Sequence, residues 1–209
     1  MKLIIVTLLI VTLLSASTLS SNLPFTPPPV YRDARAIGFA YLPGSAAGEL
    51  VEYNFQQIVD TEGQMIAQFM SPVSNSGLFV YALNNYKEGI STQLTVSGNA
   101  TACKHGVTRS NPFEENPYTD ATFGGYQVQN GRLVAIIDNV YAGEDPLKVT
   151  LDAFTHDLVG GFHSNSGVHV NVTTYVLGKQ DASLFQVPKG IQCNSKFVSN
   201  ASPVTKLVL

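Results

Sequence analysis

Apolar and polar residues alternate with period two over most of the chain, the pattern of strands with one face turned inward. Val51, Tyr53 and Phe55 alternate with Glu52 and Asn54, and Met65, Ala67 and Phe69 alternate with Ile66 and Gln68. Between them Asp60-Thr61-Glu62-Gly63 supplies a turn, so the segment predicts a hairpin. Leu78 to Leu83 is apolar throughout and ends at Asn84-Asn85; Leu94 and Val96 alternate with Thr95 and Ser97. In the second half, Thr122 to Val128 reads as a strand broken by Gly124-Gly125, and Gln129-Asn130-Gly131 as a turn. Arg132 to Tyr141 is apolar on both faces over Leu133 to Ile137, which predicts a central strand. Ala142-Gly143-Glu144-Asp145-Pro146 turns the chain again. Leu147, Val149, Leu151 and Ala153 then alternate with Lys148, Thr150 and Asp152, as do Val168, Val170 and Val172 with His169, Asn171 and Thr173. Helical character is confined to a short stretch around Asp181 to Gln186. The expectation is one largely antiparallel all-β domain.

The amino terminus departs from this pattern. Met1-Lys2, an apolar run from Leu3 to Leu14, and small or polar residues from Ser15 to Ser21 read as a secretory signal peptide over 1–20. The run is too short for a membrane span of about 20 residues, so no transmembrane anchor is expected. Residues 21–45, with Pro24, Pro27, Pro28 and Pro29, read as an extended lead-in, and 46–209 as the folded domain. Three glycosylation sequons, at Asn99, Asn171 and Asn200, agree with export. The two cysteines, Cys103 and Cys193, read most simply as one disulfide in an oxidising compartment. The destination expected is extracellular, with a lysosome as the alternative.

Composition narrows the function. Of 209 residues only 13% are charged, with 12 Lys+Arg against 15 Asp+Glu, so no basic nucleic-acid face is available. The nucleotide-binding and nucleophile-elbow motifs are absent from the sequence. His156, His163 and His169 lie near one another in sequence but lack metal-ligand spacing, and they read as scattered histidines beside His105. Asp138, Glu144, Asp145, Asp152 and Asp157 offer carboxylates for glycoside hydrolysis without a distinguishing pattern. Glu144-Asp145 lacks the regular calcium loop. Cys103-Lys104-His105 offers a thiol beside a base, the rival to the disulfide.

Parity adds geometry. A glycan on Asn171 would put His169 and Thr173 on its outer face and Val168, Val170 and Val172 inside. By the same rule Leu94 and Val96 face inward, while Thr95 and Ser97 share the outer face with Asn99. Phe55, Phe69, Leu94, Val96, Phe123, Ile136, Val170 and Val172 are the expected inward positions, and an apolar cavity would be lined from among them.

Two segments carry a family resemblance. Tyr86-Lys87-Glu88-Gly89-Ile90 through Gln93-Leu94-Thr95-Val96 and Asn99-Ala100-Thr101-Ala102-Cys103-Lys104 resembles the ependymin family. So does Asp181-Ala182-Ser183-Leu184-Phe185-Gln186-Val187-Pro188 followed by Cys193, with Ala121 to Gly125 and Phe154 to Asp157 in order between them. The resemblance runs from Val51 to Cys193 and implies that Cys103 and Cys193 are bridged. This chain departs from it at Leu158-Val159-Gly160, where family members carry a further cysteine. The resemblance implies two stacked antiparallel sheets, a half-barrel or sandwich similar to bacterial lipoprotein-carrier folds, with a hydrophobic pocket. It also implies calcium association, a homodimer, and no catalytic residues or required cofactor. The expected function is a secreted, non-enzymatic glycoprotein that binds a hydrophobic or lipid-like small molecule. The alternative is a calcium-associated adhesion or matrix protein acting through its outer surface.

Overall fold

Eleven strands hydrogen-bond into one antiparallel sheet in the computed structural model, which describes residues 32–74, 77–108, 111–114, 118–141 and 146–194. They are β1 Ala34–Pro43, β2 Leu50–Asp60, β3 Met65–Pro72, β4 Leu78–Asn85, β5 Ile90–Ser97, β6 Ala100–Val107, β7 Thr122–Gln129, β8 Arg132–Tyr141, β9 Pro146–Asp152, β10 Leu158–His163 and β11 Val168–Leu177. The order across the sheet is β6-β5-β4-β3-β2-β1-β11-β10-β9-β8-β7. Two meanders of sequential hairpins therefore meet at one non-local seam, β1 against β11. The all-β antiparallel class is as the alternation implies. The layers that the resemblance described as two sheets are here one continuous hydrogen-bonded sheet.

The turns follow local chemistry. Asn130 and Gly131 both have positive φ (51° and 77°), which a two-residue hairpin of the right twist requires. In the β2–β3 turn Asp60 Oδ1 accepts the Gly63 N–H at 3.0 Å, and Gln64, one residue beyond the expected turn, takes the left-handed conformation at φ 52°.

Several placements differ from the sequence reading, β6 at Ala100–Val107 among them. Residues 34–43, inside the segment read as a lead-in, form β1, the strand on which the two meanders join. Ala34, Ala36, Gly38 and Ala40 alternate there with Arg35, Ile37, Phe39 and Tyr41, so no apolar-to-polar contrast marks the strand. Gly38 has no room for a side chain, since a Cβ would run into the Asn171 carbonyl. Arg132 to Tyr141 is indeed a strand, but β8 stands second from an edge rather than at the centre. Leu158–His163, interrupted by Gly160 and Gly161, is also a strand, β10.

Directly opposed residues of an antiparallel ladder share a face, so the register assigns every side chain. The first face carries Ala36, Phe55, Met70, Val80, Val170, Val172, Val149 and Ile137; the second carries Phe39, Ile58, Phe69, Tyr81, Leu94 and Cys103.

Each face has a cover of its own. Residues 108–121 link β6 to β7, the two opposite edges, and so must cross the sheet. Phe113 packs with Tyr86 on Val59 and Ile66, while Tyr118 and Ala121 pack on the cluster of Ile137, Leu147, Val149 and Leu151. A flat sheet of this many strands is about 48 Å wide, and a link of this length, fully extended, reaches about 50 Å. The link spends residues on hydrogen-bonded turns at Asn111–Glu114 and Tyr118–Ala121.

The second cover is the carboxy-terminal segment. A single 3₁₀ turn, Ala182–Phe185, is capped by Asp181, whose carboxylate accepts the Ser183 N–H at 2.8 Å. Phe185, Leu184, Val187 and Ile191 then pack on Ile58, Ala67, Tyr81 and Leu94 of the second face. The Cys103–Cys193 disulfide fastens the segment to edge strand β6 with Cα atoms 4.4 Å apart. Beyond it the Asn194 N–H donates to the Cys103 carbonyl at 3.1 Å.

Candidate functional site

The middle of the first face is built in transverse rows. One row runs Val172, Gly38, Phe55, Met70, Val80 from β11 to β4; the next runs Tyr175, Ala36, Gln57, Gln68, Ala82; a third runs Ala34, Val59, Ile66, Asn84. β1 contributes only alanine and glycine to these rows, so a low track lies between the taller Phe55 and Met70 on one side and Val170 and Val172 on the other. Ala36, Ala40, Phe55, Met70, Val80, Val168, Val170 and Val172 form one buried cluster. The amide row is the exception within it. Gln57 and Gln68 are both buried, and Gln68 Nε2 donates to Gln57 Oε1 at 2.8 Å. Placing two primary amides among apolar rows costs free energy that hydrogen bonding must offset. The arrangement is a buried apolar cluster with one amide pair set within it.

Phenols ring this face. Burial pushes Tyr86 up to about 12, opposed by its hydrogen bond to Asn84, and pushes Tyr118 up to about 12. Tyr175 is raised by burial against the lowering influence of Arg32, which hydrogen-bonds it. These hydroxyls stay protonated at physiological pH and act as neutral donors. Arg32 also donates from Nη2 to the His156 carbonyl at 2.9 Å.

The expected lining residues divide between the two faces. Phe55, Val170 and Val172 stand together in the first-face cluster. Phe123 shares that face but lies on edge strand β7, 39% exposed, with its ring 5.0 Å from Tyr126. Phe69, Leu94 and Val96 point the other way, beneath the carboxy-terminal segment, and Ile136 is half-buried on the second face. The hairpin register is the reason. Phe55 opposes Met70, so Phe69 opposes Gln56 and falls on the far side. Met70 and Val80 share the first-face cluster with Phe55, and Gln57 and Gln68 stand in the next row; none of the four was among the expected inward positions. Pairing Phe55 with its partner across the Asp60 turn is the signal that would have found Met70.

The candidate chemistry resolves simply. Cys103 is disulfide-bonded, which removes the thiol nucleophile. His105 Nδ1 lies 2.9 Å from Thr92 Oγ1, and His163 is buried on the first face. His169 is exposed on the second face, 4.4 Å ring to ring from Phe162, and His156 holds a turn at φ 60°. Among the described residues no three His, Cys, Asp or Glu side chains converge as metal ligands. Asp138 pairs with Lys148 at 3.1 Å, and Asp152 accepts the Phe154 and Thr155 N–H groups. Glu144 and Asp145 lie outside the described residues, as do the leader, residues 1–20, and Asn200. Asn99 is exposed in the β5–β6 turn. Asn171 is half-buried on the second face; Val168, Val170 and Val172 are buried while His169 and Thr173 are exposed. Among the described residues no helix is long and apolar enough to cross a membrane.

No family model matches the chain and no curated protein matches it. Among solved structures, the crystal structure of MucB aligns with 78% of this chain at 8% identity and a TM-score of 0.38. The chain spans 60% of the length of MucB. No residue role passes from that alignment to this chain.

Proposed function

We propose that this is a secreted, ependymin-like glycoprotein that binds a hydrophobic, lipid-like ligand on its first face and catalyses no reaction. The observation that carries the reading is the apolar face crossing the β1–β11 seam with the Gln57–Gln68 amide pair set inside it. An acyl chain laid along the alanine and glycine track of β1 would contact Phe55 and Met70 on one side and Val170 and Val172 on the other. Each methylene buried there contributes about 0.8 kcal/mol. The amides supply a polar handle for an ester or carboxyl group. Phe113 and the phenols of Tyr86 and Tyr118 border the face. The Cys103–Cys193 bridge suits an oxidising compartment.

The test is native mass spectrometry of the glycoprotein purified from a eukaryotic secretory host, followed by organic extraction and titration with a fluorescent fatty acid. A stoichiometric lipid released on denaturation, with fatty-acid affinity weakened several-fold in Gln68→Leu, is the expected result. An apo mass with no fatty-acid binding would overturn the reading and move the function to the outer surface, where calcium-dependent adhesion would be examined next.

A further inference from the structure

The second face is covered only in part. Over β2 to β6 the carboxy-terminal segment buries Ile58, Tyr81 and Leu94. Across β1, β11 and β10, Ile37, Phe39, Tyr41 and Phe162 of the second face are half-exposed and His169 is exposed. They form a contiguous strip, because Tyr41 opposes His169, His169 opposes Phe162, and Phe39 opposes Asn171. The His169 and Phe162 rings lie 4.4 Å apart. A half-exposed aromatic strip of this kind marks a surface that something covers.

Asn171 stands inside the strip and begins the sequon Asn171-Val172-Thr173. On one side its directly opposed neighbour is Phe39, whose Cβ lies about 5 Å away in such a pair. On its other side the opposed residue is Gly160, which places no side chain beside it. A bulge falls between Ile37 and Gly38 opposite the sequon, and Thr173 Oγ1 donates to the Ile37 carbonyl at 3.1 Å. Asn171 thus has an aromatic wall on one side and, on the other, the closely packed backbone of Gly160, where the Val170 carbonyl would meet a Cβ at 2.7 Å.

We propose that Asn171 carries an N-glycan whose first N-acetylglucosamine lies back on the Phe39 ring, so that the glycan is the missing cover of the aromatic strip. One face of the sugar ring is lined with C–H groups of partial positive charge, complementary to the negative face of an aromatic ring. The occupant is part of the chain's own covalent structure, placed by a sequon in the middle of the surface to be covered. Asn99, in an exposed turn, has no such surface beside it, and its glycan would point into solvent. The inference rests on the glycoprotein reading and not on the ligand reading, since the ligand face is the opposite one.

The experiment is a double-mutant cycle on glycoprotein from a eukaryotic secretory host. Wild type, Asn171→Gln, Phe39→Ala and the double variant are melted, and occupancy at residue 171 is read by glycopeptide mass spectrometry. Loss of the glycan should lower the melting temperature by about 2–4 °C in the wild type, the scale of a modest single contact in a domain of this size. In the Phe39→Ala background the same loss should produce no shift. Phe39→Leu, which keeps bulk without an aromatic ring, serves if the alanine variant does not fold, and it should also abolish most of the glycan effect. An unmodified Asn171, or an equal shift with and without the aromatic ring, would overturn the proposal. So would a dimer that buries the strip in the Asn171→Gln and wild-type proteins alike. Fatty-acid binding measured on the same four proteins should stay unchanged, which separates failure here from failure of the ligand reading.

Discussion

The two meanders are built from similar strands but buried differently. In the amino-terminal one, β3 and β4 carry consecutive buried residues, Ile66-Ala67-Gln68 and Val80-Tyr81-Ala82, because both faces are packed. In the carboxy-terminal one, β9 keeps a strict alternation in which Leu147, Val149 and Leu151 are buried while Lys148 is exposed. The difference lies in a segment that belongs to neither meander. Residues 181–194 leave β11 and fold over the second face of the amino-terminal meander, held at Cys193. Burial on both sides of β3 and β4 is thus conferred by a distant tether, whereas β8 buries the consecutive Val134 and Ala135 without it.

Breaking the tether should have the largest effect. On the chain-entropy model, closing a loop of this length contributes about 4–5 kcal/mol. Cys193→Ser, or reduction under native conditions, should lower the denaturant midpoint accordingly and expose the second face of β3 to β6 to a hydrophobic dye. The carboxy-terminal meander should lose far less amide-exchange protection. A uniform loss across the sheet would show that the two halves unfold as one.

Phe185→Ala keeps the bridge and removes the main side chain of the cover, which is 6% exposed. A buried Phe→Ala change costs about 3 kcal/mol or more. The melting curve should shift while the disulfide remains intact, isolating packing from chain entropy.

Alkaline pH tests the first face in both halves, through Tyr86 beside β4 and Tyr118 beside the β8–β9 cluster. Both hold their protons up to about 12, against about 10 in the unfolded chain. Their folded-state values are raised, so the unfolded chain gives up protons first as pH climbs past 10. Their contribution is complete below pH 10 and is lost toward pH 12. By pH 11 the loss should reach roughly 1 kcal/mol per phenol. Phenolate absorbance for these two groups should appear together with unfolding. Titration of either one in the folded protein would contradict their burial.

The smallest effect is expected at Phe123→Ala on edge strand β7. This residue is 39% exposed on an edge strand, so the change should cost under about 1 kcal/mol. Its contrast with Phe185→Ala measures the asymmetry between a covered region and a bare edge.

The same contrast explains what could be read from the chain. The β2–β3 hairpin and the strands β7, β8, β9 and β11 were legible because alternation and turn residues such as Asn130-Gly131 are local. The inward set was legible only where one face was polar, as at Val168, Val170 and Val172. Phe69, Leu94 and Val96 are also buried or partly buried, but on the opposite side: β3 has apolar residues in both phases, and β5, apolar in one phase only, turns that phase to the second face. β1 escaped notice for a different reason. Its first-face residues are alanine and glycine, too small to look like a core, yet Ala36 and Ala40 are buried by the taller side chains of β2 and β11.

By itself the sequence determined the antiparallel all-β class, most of the hairpins, and a pair of cysteines with no other partner to choose. Periodicity, turn chemistry and counting suffice for these, since each depends on residues near one another or on a single pairing. The tertiary structure decided that the two meanders join through β1 and β11, which apolar side chains share a face across strands, and which half receives a second cover. Those outcomes depend on register between residues more than a hundred positions apart and on where a tethered segment lands, and no local pattern encodes either.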